Sequence, residues 1–365
     1  MRELFELLGI GLGTIPVGTK VEKIPFRLTL PEWERIRECS MKQGVCAIAL
    51  DGLNSLSSVY GQAICNGASP EVWQAFVLEW IGYMMNAEVE NQHQKEVLNQ
   101  MANLWIKEGC RVMVMKGQAN GLWYRHPNHR SAGDIDCYLF DDYARGNEIA
   151  RKAGATVDEG WYKHSQIIYK DETFENHKFF VLTRKGKESK RLNQELVDAL
   201  QVKSWNYFPN SSIFVPPPQW NAMFLTFHSC AHFLTEGLRL KQLLDWAMFL
   251  QHEQDHVDWP DFYDFCERYH FRRFVDSITC ICVEELGIEI MNDQISTSSP
   301  YKEKMIHSIL YDDDYVYGTN EGTWQRRIHV IRNLFAYRWR YRDIYQQSIW
   351  KQIWWHISGF FLHTE

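Results

Sequence analysis

Arg111-Val112-Met113-Val114-Met115-Lys116-Gly117 and, shortly after it, Arg130-Ser131-Ala132-Gly133-Asp134-Ile135-Asp136-Cys137-Tyr138-Leu139-Phe140 decide how the rest of the chain is read. The first run is apolar, short and bounded by Gly109 and Gly117, which predicts a buried strand. The second alternates polar and apolar residues, as a strand does. Between them, Gln118 to Tyr124 can form a short helix and His126-Pro127-Asn128-His129 reads as a loop. Side chains two apart on a strand lie on one face, about 6–7 Å apart along it. Asp134 and Asp136 are therefore placed to share one divalent cation or to flank two. Magnesium takes oxygen ligands and is commonly held by one or two carboxylates together with substrate phosphates.

Lys116-Gly117 supplies the opposite charge. A strand that ends in Gly and opens into a helix turns backbone N–H groups toward an anion. Lys116 adds a cation there, and Arg130 another across the loop. A third carboxylate is wanted on a neighbouring strand; Glu175 in Phe174-Glu175-Asn176-His177 is the choice, with Asp171 in reserve. A D-x-D pair alone is a weak signal, since exposed strand faces carry such pairs by chance. The ordered combination of strand, Lys-Gly turn, helix, arginine loop and D-x-D strand is more specific, because each part has a role.

Outward from this centre the chain is helical on both sides. Leu30-Pro31-Glu32-Trp33-Glu34 has the proline and acids of a first helical turn. Residues 72 to 86 place Trp73, Phe76, Val77, Trp80 and Ile81 at helical spacing. A separate helix is expected from 86 to 108, with Val97, Met101, Leu104 and Trp105 on one face and Gly109 as its stop. After the D-x-D strand, Asp142 to Ala153 predicts a helix closed by Gly154. Gln166 to Lys170 and Phe174 to Leu182 predict two strands joined at Asp171-Glu172-Thr173. Residues 190 to 218 read as irregular, ending in Pro216-Pro217-Pro218. Helices are then expected as a pair around Gly237, from 261 to about 285, and from 325 to the end. The plan is a helical region over 1–108, an α/β core over 109–200 and a helical domain over 201–365.

These motifs resemble the polymerase-β-like nucleotidyltransferase superfamily, and most closely a family of uncharacterised bacterial nucleotidyltransferases. That family's pattern reads L-K-G, a tyrosine, R-x-x-x-D-x-D, E-x-H and a helical H-x-x-x-H…D region. Here it is met by Met115-Lys116-Gly117, Tyr124, Arg130 to Asp136, Glu175-Asn176-His177, and His228-Ser229-Cys230-Ala231-His232 with Asp245. The resemblance runs over about residues 30 to 250. It extends to the abortive-infection toxin branch, in which a K-G-G turn and a D-x-D site transfer nucleotides. It implies an α+β fold with a small mixed-sheet core flanked by helical regions. It also implies transfer of a nucleotidyl group from an NTP with release of pyrophosphate. In that reading Asp134, Asp136 and Glu175 hold Mg2+ (or Mn2+). Lys116, Gly117, Arg130, Tyr124 and His177 bind substrate, and the acceptor is a small molecule, protein or RNA. The superfamily's usual turn is Gly-Ser, and this chain has Lys116-Gly117. Two other classes therefore stay open: a non-catalytic nucleotide-binding or assembly protein on the same fold, and a toxin-like enzyme that modifies RNA.

Several features carry less. His228 and His232, at i and i+4, share a helix face, but they lack the Glu of the metalloprotease motif and a third ligand, so a packed pair lining the cleft is the reading. Asp245 is expected to pair with Arg239 or Lys241, or to cap a helix. The run Arg184-Lys185-Gly186-Lys187 with Lys190-Arg191 fits a solvated loop better than a nucleic-acid contact. Ile349-Trp350, Ile353-Trp354-Trp355, Ile357 and Phe360-Phe361 read as packing rather than a membrane face. The nine cysteines form no CxxC pair, and Cys280-x-Cys282 is too close for a zinc knuckle, so reduced buried thiols are expected. The net charge of −7, from 39 basic and 46 acidic residues, argues against a nucleic-acid coat protein. No targeting signal and no apolar run near ~20 residues is visible, so a cytoplasmic protein without stable membrane insertion is expected.

Overall fold

The computed structural model describes residues 1–18, 26–183, 186–312, 332, 334–351 and 353. Its architecture is α+β: a small mixed sheet with helical regions before and after it. Helix α1 (Glu3–Leu12) is buried along most of its length and lies against α3 (Cys46–Tyr60). The approach is close because both partners lack a side chain where the backbones meet. A methyl group on Gly52 would run into the Leu7 carbonyl, and one on Gly11 into the Ile48 carbonyl. Helix α2 (Leu30–Lys42) starts where the sequence predicts. The Glu32 carboxylate accepts from both the Thr29 N–H and hydroxyl at 2.8 Å, anchoring the first turn.

The helices expected at 72–86 and 86–108 are one: α4 runs unbroken over Pro70–Lys107. Ser69 caps it and no proline interrupts it, so nothing in the sequence stops the helix between the two halves. Its two ends serve different cores. Trp73, Phe76 and Trp80 join Phe26 and Trp33 in a chain of rings with centroids 5.4 to 5.8 Å apart in the helical core. Val97, Leu98, Met101 and Trp105 instead cover the sheet.

The sheet has the order β3-β4-β7-β6-β5. The short pair β1 (Leu28–Thr29) and β2 (Cys65–Asn66) lies apart from it. Strand β3 (Met113–Val114) runs antiparallel to β4 (Ile135–Tyr138), and β4 runs parallel to β7 (Glu172–His177). Strands β5 (Thr156–Asp158) and β6 (His164–Tyr169) complete it antiparallel. The turn between β6 and β7 falls at Lys170-Asp171, not at Asp171-Glu172-Thr173. Both residues have positive φ, 51° and 65°, the geometry of a two-residue hairpin that matches strand twist. Strand β5, absent from the sequence reading, is three residues long and half exposed, too short for periodicity to show. Four-residue α5 (Gln118–Gly121) follows β3, and α6 (Tyr143–Lys152) packs with α4 on the sheet.

Period two assigns the faces. Ile135, Cys137, Phe174 and Ile167 face α4 and α6. Asp136, Tyr138, Glu175, His177 and His164 face the opposite way, toward the C-terminal helices. A stacked path, Tyr138 to Phe180 (4.6 Å), Trp220 (5.1 Å), Phe224 (4.6 Å) and His228 (5.6 Å), ties that face to α8 (Pro218–Thr235).

The start of the stretch read as irregular from 190 lies instead in helix α7 (Lys187–Asp198). Only Leu192 and Leu196 are buried on it, so one narrow apolar stripe holds an otherwise charged helix. Arg191 pairs with Glu195 at 3.0 Å, which takes one member of the basic run out of play. Arg184 and Lys185 lie outside the described residues. Helix α9 (Leu240–Glu253) pairs with α8 as expected. The single helix expected from 261 is two, α10 (Trp259–Arg268) and α11 (Arg272–Leu286), broken at His270 with φ 65°. Helix α12 is Lys302–Tyr311. Of the C-terminal apolar stretch, Ile353 is buried and Trp350 exposed, while Trp354, Trp355, Ile357, Phe360 and Phe361 lie outside the described residues. The cysteines are free thiols, most of them buried. Among the described residues no helix is long and apolar enough to cross a membrane.

The α1–α3 contact yields a paired expectation. Gly52→Ala should destabilise the chain by about 1–3 kcal/mol through overpacking. Gly82→Ala, at an exposed point of α4 with open space around it, should stabilise by about 0.5–1 kcal/mol. Urea unfolding of the two variants beside the wild type checks both signs.

Candidate active site between the sheet and the C-terminal helices

The register of β4 and β7 sets Asp136 directly opposite Glu175. Asp134 sits two residues earlier, just before β4, and is exposed, whereas Asp136 is only 4% exposed. A carboxylate buried that deeply needs partners. Lys116 Nζ is 3.0 Å from Asp136 Oδ1, and His177 Nε2 is 3.0 Å from the same oxygen. Burial works to raise the Asp136 pKa, but the Lys116 charge and the His177 hydrogen bond outweigh it and hold it well below the usual carboxylate range. Glu175 is lowered too: burial opposes its charge, and the His177 contact at 3.2 Å favours it. Asp134 goes the other way. Its pKa is raised by partial burial and then by the negative charges of Glu175 and Asp136.

Lys116 reaches this position because Gly117, with φ +57° and ψ −110°, turns the chain sharply after β3. The helix that follows is a single turn, so the expected dipole at its start is small, and the turn acts chiefly by aiming Lys116. The Lys116 ammonium also lies 3.0 Å from His228 Nε2, with His232 Nε2 at 3.1 Å from that same nitrogen. Burial, then the Lys116 charge, lowers the His228 pKa well below its ordinary value, so this ring is neutral and accepts from the ammonium. The two histidines are a hydrogen-bonded pair on the cleft wall.

Arg130 and Tyr124, expected to contact substrate, both bond to Asp245. Arg130 donates twice to Asp245, Nε and Nη2 each at 2.7 Å. Tyr124 Oη donates to the same carboxylate at 2.9 Å, and Asn120 Nδ2 at 3.1 Å. Asp245 therefore pairs with Arg130 rather than with Arg239 or Lys241. Asp245 takes Nε and Nη2, while Nη1 donates to the Ser131 carbonyl at 3.2 Å and lies beside Gly117. The clamp ties α5, the 128–131 loop and α9 together. Helix α4 secures the same loop from the other side. Asn91 Nδ2 donates to the carbonyls of Asn128 and Arg130 at 3.0 Å, and Gln94 Nε2 to that of Gly133 at 2.6 Å.

Three functional candidates escaped the sequence reading. Lys163 and Lys241 are mostly buried cations with no ion pair or hydrogen bond at Nζ among the described residues. Burial first, and neighbouring positive charge after it, lowers the pKa of both, though the negative charge of Glu175 (on Lys163) and of Asp245 (on Lys241) works the other way. Lys163 is held at the sheet by its carbonyl, which accepts from Lys178 N and Phe179 N at 2.9 and 3.0 Å. Lys241 Nζ would lie 3.7 Å from a side chain at Gly133, beside Asp134. His164, the third, pairs with His177 across β6 and β7. Burial brings its pKa down to about 4. Asp171 stays in the hairpin turn, away from the triad.

The mixed sheet thus brings paired carboxylates together with half-buried lysines. The model of a family described as uncharacterised nucleotidyltransferases matches residues 30–287, and the chain belongs to that family. No curated protein and no solved structure matches the chain.

Removing Asp245 leaves the Arg130 guanidinium buried without its counter-charge. Asp245→Ala should therefore destabilise the fold by about 3–5 kcal/mol, whereas the double replacement Arg130→Met/Asp245→Leu should recover most of that loss. Thermal and urea unfolding of both variants checks it; equal losses would show that the clamp's charges are not the cause.

Proposed function

We propose that the chain transfers a nucleotidyl group from an NTP to an acceptor hydroxyl and releases pyrophosphate, on a polymerase-β-like core. The observation that carries this reading is the cross-strand pairing of Asp136 with Glu175, with Asp134 beside them and the charges of Lys116, Lys163 and Lys241 acting on this group. Partial burial raises the Asp134 pKa first and the negative charges of Glu175 and Asp136 raise it further, and a divalent cation would relieve that repulsion. The donor set fits magnesium or manganese, with Asp134, Asp136 and Glu175 as the residues that would hold it. When bound, such an ion would neutralise charge on the reacting phosphate.

The chain's own residues do the rest. Lys163 and Lys241 have no ion-paired carboxylate among the described residues, so a triphosphate would gain two ammonium groups already partly desolvated by the fold. Lys116 orients Asp136 and adds charge to the same wall. Asp134, the most exposed and most basic of the three carboxylates, accepts the proton of the acceptor hydroxyl as its oxygen bonds to the α-phosphorus. The bond from that phosphorus to the pyrophosphate oxygen breaks, and its electron pair leaves with pyrophosphate. Catalysis then rests on positioning and electrostatics.

A second reading has one observation in its favour. Asp136 is closed off by Lys116 and His177, as suits a nucleotide-binding protein without turnover. The two readings part in a direct test. Calorimetry with each of the four NTPs, with and without magnesium, should show metal-dependent binding that Asp134→Ala/Asp136→Ala loses. Transfer of label from α-phosphate-labelled NTP should fall at least about a hundredfold in Asp134→Ala. Lys163→Ala and Lys241→Ala should each weaken NTP binding roughly ten- to a hundredfold. Binding with no transfer in any extract fraction would favour the second reading, and no binding would sink both.

A further inference from the structure

His164, Glu175 and His177 lie together on the site face of the sheet, and one ligating atom from each lies within 4.8 Å of the others. His177 Nε2 is 3.2 Å from Glu175 Oε2, and His164 Nε2 is 3.5 Å from Glu175 Oε1. Ligands about 2.1 Å from a metal ion stand roughly 3.0–3.5 Å from one another in octahedral or tetrahedral arrangements. The two observed separations have that spacing, each to a different oxygen of Glu175, as a carboxylate bound through both oxygens would give.

The hydrogen-bond accounting points the same way. His177 Nδ1 lies 3.2 Å from the Phe179 carbonyl oxygen, which can only accept, so Nδ1 carries a proton. Its Nε2 faces two carboxylates, Glu175 and Asp136 at 3.0 Å, which also only accept. That arrangement calls for positive charge at Nε2: either the proton that makes the hydrogen bond to Asp136 described above, or a metal ion in its place. An Nδ1–H held by a backbone carbonyl is also how metal-binding histidines are oriented. His164 has no hydrogen-bond partner among the described residues, and its Nδ1 is buried without one. Trp161 stacks on that ring at 5.9 Å and fixes its plane. Two imidazoles and one carboxylate suit first-row transition ions, whereas magnesium favours oxygen ligands alone.

We propose that His164, Glu175 and His177 form a binding site for a divalent transition-metal ion, taken through two imidazole nitrogens and one carboxylate. The inference goes beyond nucleotidyl transfer and does not depend on it, because the ligand set selects the ion whatever group is transferred. Glu175 is the one residue common to this site and to the oxygen site with Asp134 and Asp136.

The test uses the full chain freed of metal with a chelator, with Mn2+ as the probe. Pulsed electron paramagnetic resonance on protein carrying 14N- or 15N-histidine should show nitrogen directly bound to manganese. Calorimetry should show Mn2+ and Zn2+ binding at least about tenfold more tightly than Mg2+, and a tenfold or greater loss of Mn2+ affinity in His164→Ala. That ring has no hydrogen bond to lose, so the variant should melt as the wild type does; should it not fold, the nitrogen couplings of the wild type decide alone. Manganese bound without nitrogen coupling, or affinity lost in Asp134→Ala but not in His164→Ala, would overturn the site in favour of oxygen ligation. Absence of Mn2+ and Zn2+ binding would overturn it in favour of a protonated His177. Nitrogen-bound manganese in a chain that binds no NTP would leave this site standing and strike the transferase reading alone.

Discussion

Asp136 is an almost wholly buried carboxylate in the middle of a sheet, and much of the architecture answers to it. Left alone, such a group would be several kcal/mol unfavourable or would take up a proton. Lys116 and His177 prevent both, and each arrives by a separate structural route. Lys116 is delivered by the sharp turn at Gly117. His177 is delivered by β7, two residues beyond the register partner of Asp136. The Lys116 ammonium is in turn received by a neutral His228 from α8. A single buried charge thereby couples the edge strand, two central strands and the C-terminal helices.

Helix α4 gives that arrangement its rigidity. Its first half is locked into the helical core by tryptophan packing and its last turns cover the sheet. Between them, Asn91 and Gln94 are buried polar residues that grip the backbone of the loop leading to Asp134. The Arg130–Asp245 clamp fixes the same loop from α9. Buried polar groups satisfied in this way hold a unique geometry, and here that geometry sets the spacing of the carboxylates. The cleft that results has an uneven charge pattern. Asp136, Glu175 and His177 on the sheet contact one another, while Lys163 and Lys241 lie half-buried with no ion pair among the described residues.

The elements that sequence reading found are those whose signals are local. Thr29 with Glu32 marks the start of α2, Pro218 that of α8, and the alternation around Asp134 and Asp136 marks β4. Its errors are also local. Helix α4 reads as two because its apolar face changes partners midway, and α7 reads as irregular because its apolar stripe is only two residues wide. The turn before β7 lies about one residue earlier than it reads because Lys170, its first residue, is not a typical positive-φ residue.

For the site, the chain by itself determined which residues carry charge, and the period of two put Asp134, Asp136, Glu175 and His177 on common strand faces. Strand spacing is a property of the backbone, so those relations are written in the sequence. Pairing across elements is not. That Asp136 meets Glu175, that Arg130 is held by Asp245 a hundred residues away, and that Lys163, Lys241 and His164 line the same cleft were decided by tertiary structure alone. Electrostatic contacts act through space, and no local periodicity records which distant segment will supply the opposite charge.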